Sequence, residues 1–272
     1  MSERAAPAKL NLSLVVGPRR AGGKHEVVTV LEHLELADRV TLETSSALRV
    51  TGFPEDTLVT RALTRLAAAA CVEPCWGVDV DKRIPVAAGL GGGSADAAAA
   101  LELANATLER PLGAEALQAL ARELGADVPF FLETGPRLGT GDGSDLAPCD
   151  VPRDYSVVLV LPRDEVKEST AAVYAAFDAR HGYAGFEDRR AALIAALGRA
   201  RRPTDLADLP GNDLASSPLA GELLGLGAFR ADVSGAGPAV YGLFEDDEAA
   251  ARAEAALAGR GRTWRTRPAW YG

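Results

Sequence analysis

A chain of 272 residues, 47% of them apolar, with a net charge of -9, holds enough material for two modest domains or one large one. Its acidity argues against a nucleic-acid partner held on a basic surface. No apolar run approaches a membrane span and Met1 to Lys9 contains no apolar signal core, so a cytoplasmic protein without a membrane partner is expected.

The first predicted element is a half-buried strand over residues 9–16, where Leu10, Leu12, Leu14 and Val16 alternate with other residues. Pro18 to Gly23 predicts a turn, and the apolar, largely β-branched run from Glu26 to Leu36 a second strand. Arg39–Glu43 and Ala47–Thr51 predict a hairpin around Thr44-Ser45-Ser46. Leu58, Ala62 and Leu66 mark a helix from Thr57 to Val72, and Trp76, Val78 and Val80 another strand. Cys71 and Cys75 are followed by no second ligand pair, and with Cys149 they are expected to be reduced thiols.

The strand at Trp76 leads into Ile84-Pro85-Val86-Ala87-Ala88-Gly89-Leu90-Gly91-Gly92-Gly93-Ser94-Ala95, and then into an alanine-rich run without a breaker. This pattern predicts a glycine loop opening a helix from Ser94 to about Leu108, with Ser94 at or near the N-cap. Glycine allows positive φ and close approach of the backbone to a ligand. The free N–H groups at a helix start, with the positive end of the macrodipole, make an anion site whose usual occupant is phosphate. A Walker loop would require Lys-Ser or Lys-Thr after its last glycine, and Pro85 interrupts any strand feeding a dinucleotide fingerprint, so neither common motif applies.

A further helix is predicted over Ala114–Leu124, ended by Gly125-Ala126-Asp127-Val128-Pro129, after which Phe130, Phe131 and Leu132 are expected to be buried. Gly135 to Ser144 reads as a loop. Beyond it, a strand at Tyr155–Leu161, helices at Ser169–Arg180, Ala191–Arg201 and Leu214–Leu224, strands at Phe229–Val233 and Ala239–Phe244, a helix at Asp247–Ala258 and a strand at Thr263–Arg267 give a split βαβ order. A boundary near 148–154 follows, with domains 1–150 and 151–272.

Three segments carry a resemblance. Pro7-Ala8-Lys9-Leu10-Asn11, the glycine loop with Pro85 at its head, and Val233-Ser234-Gly235-Ala236-Gly237-Pro238-Ala239-Val240-Tyr241 resemble, in order and spacing, the three motifs of the GHMP kinases. The resemblance covers nearly the whole chain. It implies an α+β fold with an N-terminal ribosomal-protein-S5-like domain, which binds ATP and catalyses, and a C-terminal ferredoxin-like sandwich. It also implies ATP and Mg²⁺, with the loop from Pro85 to Ala95 around the phosphates and Ser94 as a metal ligand. Gly-Ala-Asp-Val-Pro is similar to the segment bearing the family's catalytic aspartate. Asp127 would then be the general base for the acceptor hydroxyl, and Lys9 would keep it ionised and stabilise transition-state charge.

Within the family, several segments are similar to those of members whose acceptor is 4-diphosphocytidyl-2-C-methyl-D-erythritol, phosphorylated on its 2-hydroxyl in isoprenoid synthesis. They are Gly23-Lys24-His25-Glu26, Ser169-Thr170-Ala171-Ala172-Val173-Tyr174 and Asn212-Asp213-Leu214. They would bring Asn11, Lys24, His25, Thr170, Tyr174 and Gly235 to the substrate, with Tyr174 against the cytosine. Lys24 stands where an aromatic residue is expected, its stem able to cover an apolar face while the ammonium stays in water or meets a phosphate. Thr57 stands where an asparagine is usual. The partners implied are the small-molecule substrate and ATP, in a monomer or weak homodimer. Two other readings stay open: a kinase of homoserine or a mevalonate derivative, and a non-catalytic ligand-binding module on the same fold.

Overall fold

The computed structural model describes residues 1–53, 57–163 and 169–269. The chain divides into two compact units, one built from Met1–Ala8, Leu36–Val86 and Gly91–Thr134, the other from Lys9–Glu35, Ala87–Leu90 and Gly135–Gly272. Two long strands, β1 (Ser2–Arg19) and β2 (His25–Thr44), contribute to both. Each is longer than its alternation pattern. The start of β1 is exposed and so carries no apolar periodicity, and β2 continues through Ala37-Asp38-Arg39 because nothing there breaks a strand.

In the first unit, residues 39–44 of β2 pair antiparallel with β4 (Trp76–Asp81), and β3 (Arg49–Thr51) pairs parallel with β4 on its other side. The hairpin expected between 39–43 and 47–51 is therefore corrected, because β4 lies between its two arms. Trp76, Val78 and Val80 are all buried, which suits β4 to the central place. Gly52 makes the passage possible. Its φ is +85°, and a Cβ there would stand 2.2 Å from the Val80 carbonyl oxygen.

Helices α1 (Thr57–Ala70), α2 (Gly92–Asn105) and α3 (Ala114–Leu124) pack in the same unit. Ala97 to Leu101 are all buried, so α2 is a core helix whose small side chains allow α1 to approach closely. A 3₁₀ turn over Val128–Leu132 buries Phe130 and Phe131, as their composition suggested.

In the second unit, residues 29–31 of β2 pair with β5 (Arg137–Thr140), which forms a hairpin with β6 (Asp145–Pro148). The stretch expected as a loop from Gly135 to Ser144 thus contains a strand, and its glycines belong to the turn, Gly141 at φ +69° and Gly143 at +98°. Then come β7 (Ser156–Pro162), α4 (Thr170–Ala179), α5 (Phe186–Arg199), α6 (Pro218–Gly225), β8 (Arg230–Val233), β9 (Val240–Phe244), α7 (Asp247–Leu257) and β10 (Gly261–Thr266). Helix α5 begins five residues ahead of the predicted position, on Gly185 in the left-handed region, and α6 begins after the Ser217 cap with Pro218 at its first turn. The sheet order β10-β7-β9-β8, antiparallel throughout, is that of a ferredoxin-like sandwich. Val158, Val160, Val240 and Phe244 of the sheet pack with Leu223 of α6 and Ala253 and Leu257 of α7. Beneath β8 and β9 the buried Arg230 guanidinium donates to the carbonyls of Leu206, Leu209 and Pro210 at 3.1, 2.6 and 2.9 Å, so its charge is solvated by backbone dipoles.

Glu32 and His33 are both buried in this unit. Burial pushes the Glu32 carboxyl up to about 7 against the pull of the Arg153 guanidinium 3.4 Å away. Burial and the charges of Arg153 and Arg137 push His33 down to about 4. Since the folded Glu32 holds its proton more tightly than the unfolded one, its favourable contribution is complete below about 4.5 and is lost as pH rises through about 7. His33 has the opposite sign between about 4 and 6.5, its neutral form being favoured by the fold. Comparing Glu32→Gln with wild type cancels the His33 contribution. The stability of the variant relative to wild type should grow by about 3 kcal/mol between pH 4.5 and pH 8, read by urea unfolding at each pH. A difference that stays flat with pH contradicts this.

Candidate active site

In the second unit the chain turns residues 87–90 into a short backbone graft. The Lys9 amide donates to the Leu90 carbonyl at 2.9 Å, and the Ala239 amide to the Ala88 carbonyl at 3.0 Å. Ser234, fully buried, donates its hydroxyl to the Gly89 carbonyl at 3.0 Å and accepts from the Asn11 amide at 3.4 Å. A Cβ on Gly89 would lie 2.2 Å from the Ser234 carbonyl oxygen. Gly89 has φ +85°, and Ala87, not a glycine, has φ +61°. A non-glycine residue held in the left-handed region is strained backbone, the kind of strain that clusters at functional sites.

Lys9 and Asn11 lie on β1, both buried. The Lys9 ammonium donates to Asn11 Oδ1 at 2.5 Å, and Asn11 Nδ2 donates to Thr29 Oγ1 at 2.8 Å. Gly235, in the turn between β8 and β9, faces the same pair: at its φ of +60° a Cβ would sit 3.2 Å from Asn11 Oδ1 and 3.5 Å from Lys9 Nζ. Asn212 Nδ2 holds the turn by donating to the Val233 and Gly235 carbonyls at 2.8 and 2.6 Å. The structure therefore brings the first motif, part of the second and the third together around Lys9. A buried ammonium beside an open glycine turn can offset the charge of an anionic reaction centre.

A second group in this unit gathers around His25, at the start of β2. Its Nε2 pairs with Asp178 Oδ1 at 2.7 Å, and Asp178 accepts in turn from Arg19 Nε and Nη2 at 2.9 and 2.6 Å. Hydrogen bonds from His25 and Arg19 hold the Asp178 carboxyl below its usual range. Tyr174 on α4 stacks on the His25 ring, with centroids 4.8 Å apart and planes at 26°, and Phe177 meets it edge-on. Thr170 opens α4 and is exposed. Lys24 is exposed and pairs at the surface. It donates to Asp142 Oδ2 at 2.5 Å, in the turn of the β5–β6 hairpin. Burial works against ionisation of Asp142, but hydrogen bonds from Lys24 and Ser144 hold its pKa down to about 2.

In the first unit, α2 begins with Gly92. Its N-cap is Gly91 at φ +72°, so the cap expected at Ser94 is corrected: Ser94 lies inside the first turn, half-buried. The left-handed conformation needed to leave the loop suits glycine and not serine. Pro85 is buried and Val86 exposed at the entry to the loop, while Gly92, Gly93 and Ala95 form the start of the helix. Asp127, half-buried, sits directly before the 3₁₀ turn that Pro129 helps to start. Sequence reasoning overlooked a buried ion triad of Asp38, Lys82 and Asp96 in this unit. Asp96 did leave a trace as the lone charge in an alanine run, where a solvated residue has no place on a fully buried helix face. Asp178 and Asp142 were overlooked as well, and Ser234 was seen only as part of the third motif, because only their tertiary partners give them a role.

Replacing Gly89 tests the graft. Gly89→Ala should move the loop rather than unfold the protein. Nucleotide affinity should fall at least about tenfold by calorimetry, with the far-UV spectrum retained, because both the contact and the positive φ are lost. Wild-type affinity in a folded variant contradicts it.

Comparisons with known proteins agree with this geometry. Residues 57–135 match the family model described as the GHMP kinases N terminal domain, and residues 216–263 match the GHMP kinases C terminal model. The 4-diphosphocytidyl-2-C-methyl-D-erythritol kinase of Anaeromyxobacter sp. (strain Fw109-5) is 42% identical over 275 residues, spanning 93% of this chain and 85% of that protein. The protein of the same name from Nocardia farcinica (strain IFM 10152) is 41% identical over 94% of this chain and 89% of its own length. A solved structure of 4-(cytidine 5'-diphospho)-2C-methyl-D-erythritol kinase superposes with a TM-score of 0.80 at 34% identity, covering 98% of this chain and all of that one. Homoserine kinase from Cytophaga hutchinsonii shares the fold, with a TM-score of 0.70 at 19% identity over 98% of this chain and 94% of its own. With relatives of such identity along nearly its whole length and both domain models matched, the chain belongs to the GHMP kinases, a family of ATP-dependent phosphotransferases.

Proposed function

We propose that the chain transfers the γ-phosphoryl group of ATP to the 2-hydroxyl of 4-diphosphocytidyl-2-C-methyl-D-erythritol, giving ADP and the 2-phosphate on the methylerythritol route to isoprenoids. The relatives above bear that kinase's name at about 40% identity, which supports the acceptor. The observation that carries the chemistry is the buried Lys9 ammonium, 2.5 Å from Asn11 Oδ1 and facing Gly235 beside residues 87–90.

In this reading the loop from Pro85 to Ala95 cradles the phosphates with its backbone N–H groups. Asp127 takes the proton of the acceptor hydroxyl as the new O–P bond forms and the bond to the β-γ bridging oxygen breaks, and Lys9 offsets the charge that develops. Among the described residues no group of three or more His, Cys, Asp or Glu could hold a metal ion. Mg²⁺ would be carried by the nucleotide phosphates and waters, with Ser94 the proposed protein ligand. When bound, the ion would neutralise phosphate charge. His25 and Tyr174 receive the cytosine with Thr170 nearby. Tyr174 stands against the base and His25 hydrogen-bonds its polar edge, while Lys24 shapes the rim through Asp142. The domains 1–150 and 151–272 are assigned to nucleotide and catalysis and to the C-terminal sandwich. No described helix is long and apolar enough to cross a membrane, and a cytoplasmic monomer or weak homodimer is the proposed working form.

Purified protein with Mg-ATP should release ADP on addition of the cytidine compound and not with homoserine or mevalonate. Asp127→Asn should lower kcat by about a hundredfold or more with little change in the KM for ATP, since the base acts only in the chemical step. Tyr174→Ala should raise the acceptor KM about tenfold, the size of one lost aromatic contact. Turnover of another alcohol in place of the cytidine compound, with Tyr174→Ala indifferent, sinks the acceptor assignment.

A further inference from the structure

The Lys82 ammonium in the first unit lies between two carboxylates that have no solvent exposure. It donates to Asp38 Oδ2 at 2.5 Å and to Asp96 Oδ2 at 2.6 Å. Asp38 belongs to β2, Lys82 follows β4, and Asp96 lies in the second turn of α2. The other oxygen of Asp38 accepts from the backbone N–H groups of Arg83 and Ile84, at 2.5 and 2.8 Å. Those two residues lead straight into Pro85, and Asp96 comes five residues after Gly91 caps the helix. One carboxylate on a strand thus holds the entry of the glycine loop directly and its exit through Lys82. The Lys82 ammonium passes 3.3 Å from the place a Cβ on Gly92 would occupy, so it runs tightly under the first residue of the helix. Phe53 covers it, its ring centroid 5.8 Å away.

Formal charge separates two roles for such a group. Two carboxylates and one ammonium sum to minus one. Placed beneath a phosphate-binding turn, that charge repels the ligand and cannot attract it. Burial works against the Lys82 charge, but Asp96 and Asp38 more than restore it, so the ammonium stays charged and committed to its two partners. Buried ion pairs of this kind add little net stability compared with apolar packing, and their best-attested use is to fix one arrangement over its neighbours.

We propose that Asp38, Lys82 and Asp96 are positioning residues for the phosphate loop: the bridge sets the spacing between residues 83–84 and the first turn of α2, so that the loop amides are aimed before nucleotide arrives. This rests on the reading of residues 85–95 as the ATP loop. The bridge acts on nucleotide affinity by reducing the ordering that binding requires.

Asp96→Ala is the sharpest variant. It leaves the Lys82–Asp38 pair and the anchor at the loop entry, and alanine is the residue that the rest of this helix already uses. It also removes one negative charge from beneath the loop, so a purely electrostatic role demands tighter nucleotide binding and a positioning role demands weaker. We expect the Kd for ADP and the KM for ATP to rise about tenfold, with kcat within about threefold and the acceptor KM unchanged. Hydrogen exchange in the nucleotide-free protein should quicken at the amides of residues 91–96 and not along α1 or α3. Asp96→Asn, which keeps an acceptor oxygen in the same place, should recover most of the affinity. Equal or tighter ADP binding by Asp96→Ala overturns the proposal, as does exchange that quickens evenly across the three helices with a lowered Tm, the mark of a purely structural role. A wild-type protein with no affinity for ADP or ATP would instead overturn the functional reading on which the proposal rests.

Discussion

The fold of the candidate site turns on the absence of one carbon atom. Where a side chain on residue 89 would begin, the carbonyl oxygen of Ser234 already stands, 2.2 Å away. Two glycine-bearing segments that are 145 residues apart in the chain can therefore meet backbone to backbone, and Ser234 closes the contact with its own hydroxyl. Once that approach is made, the amides of Lys9 and Ala239 find the carbonyls of Leu90 and Ala88, and residues 87–90 behave as a short edge of the unit that receives them. The positive φ at Ala87, Gly89 and Gly91 follows from making this excursion and then entering a helix within a few residues.

Charge in the interior is handled locally. Arg230 spends its donors on three carbonyls, Lys82 lies between two aspartates, and Lys9 is met by Asn11. Each arrangement satisfies a group that would otherwise be costly to bury, and those of Arg230 and Lys82 tie together segments distant in sequence. Glu32 is the exception in kind. It is buried beside Arg153, and burial outweighs that pull and raises its carboxyl to about 7, so it is only partly ionised at neutral pH. The consequence is a carboxylate that titrates near neutral pH.

The cluster around His25 shows the same economy with aromatic rings. His25 is nearly enclosed, with Tyr174 on its face, Phe177 at its edge and Asp178 on its Nε2. The ring is thus fixed in orientation by its neighbours. Lys24, where the resemblance leads one to expect an aromatic residue, is tied to the turn at Asp142. The departure in sequence is absorbed by a local ion pair.

Several features were legible in the amino-acid sequence alone because their causes are local. Glycines before an alanine-rich helix announce a loop with positive φ and free amides, and Gly89 and Gly91 adopt it. The period of apolar residues after residue 155 specifies the strand and helix order that becomes the β10-β7-β9-β8 sheet. The run of Phe130 and Phe131 specifies burial. Partner choice was not legible. Periodicity says that residues 39–43 and 47–51 are extended, but not that β4 will lie between them, since any apolar strand of the right length competes for that edge. Nor could composition reveal that Asp38 meets Lys82 44 residues on, or that Tyr174 rests on His25. Local chemistry restricts the conformation of each residue. Which buried charge is neutralised, and by what, is decided only when distant segments close around it, because the energy at stake comes from excluding water and exists only in the assembled interior.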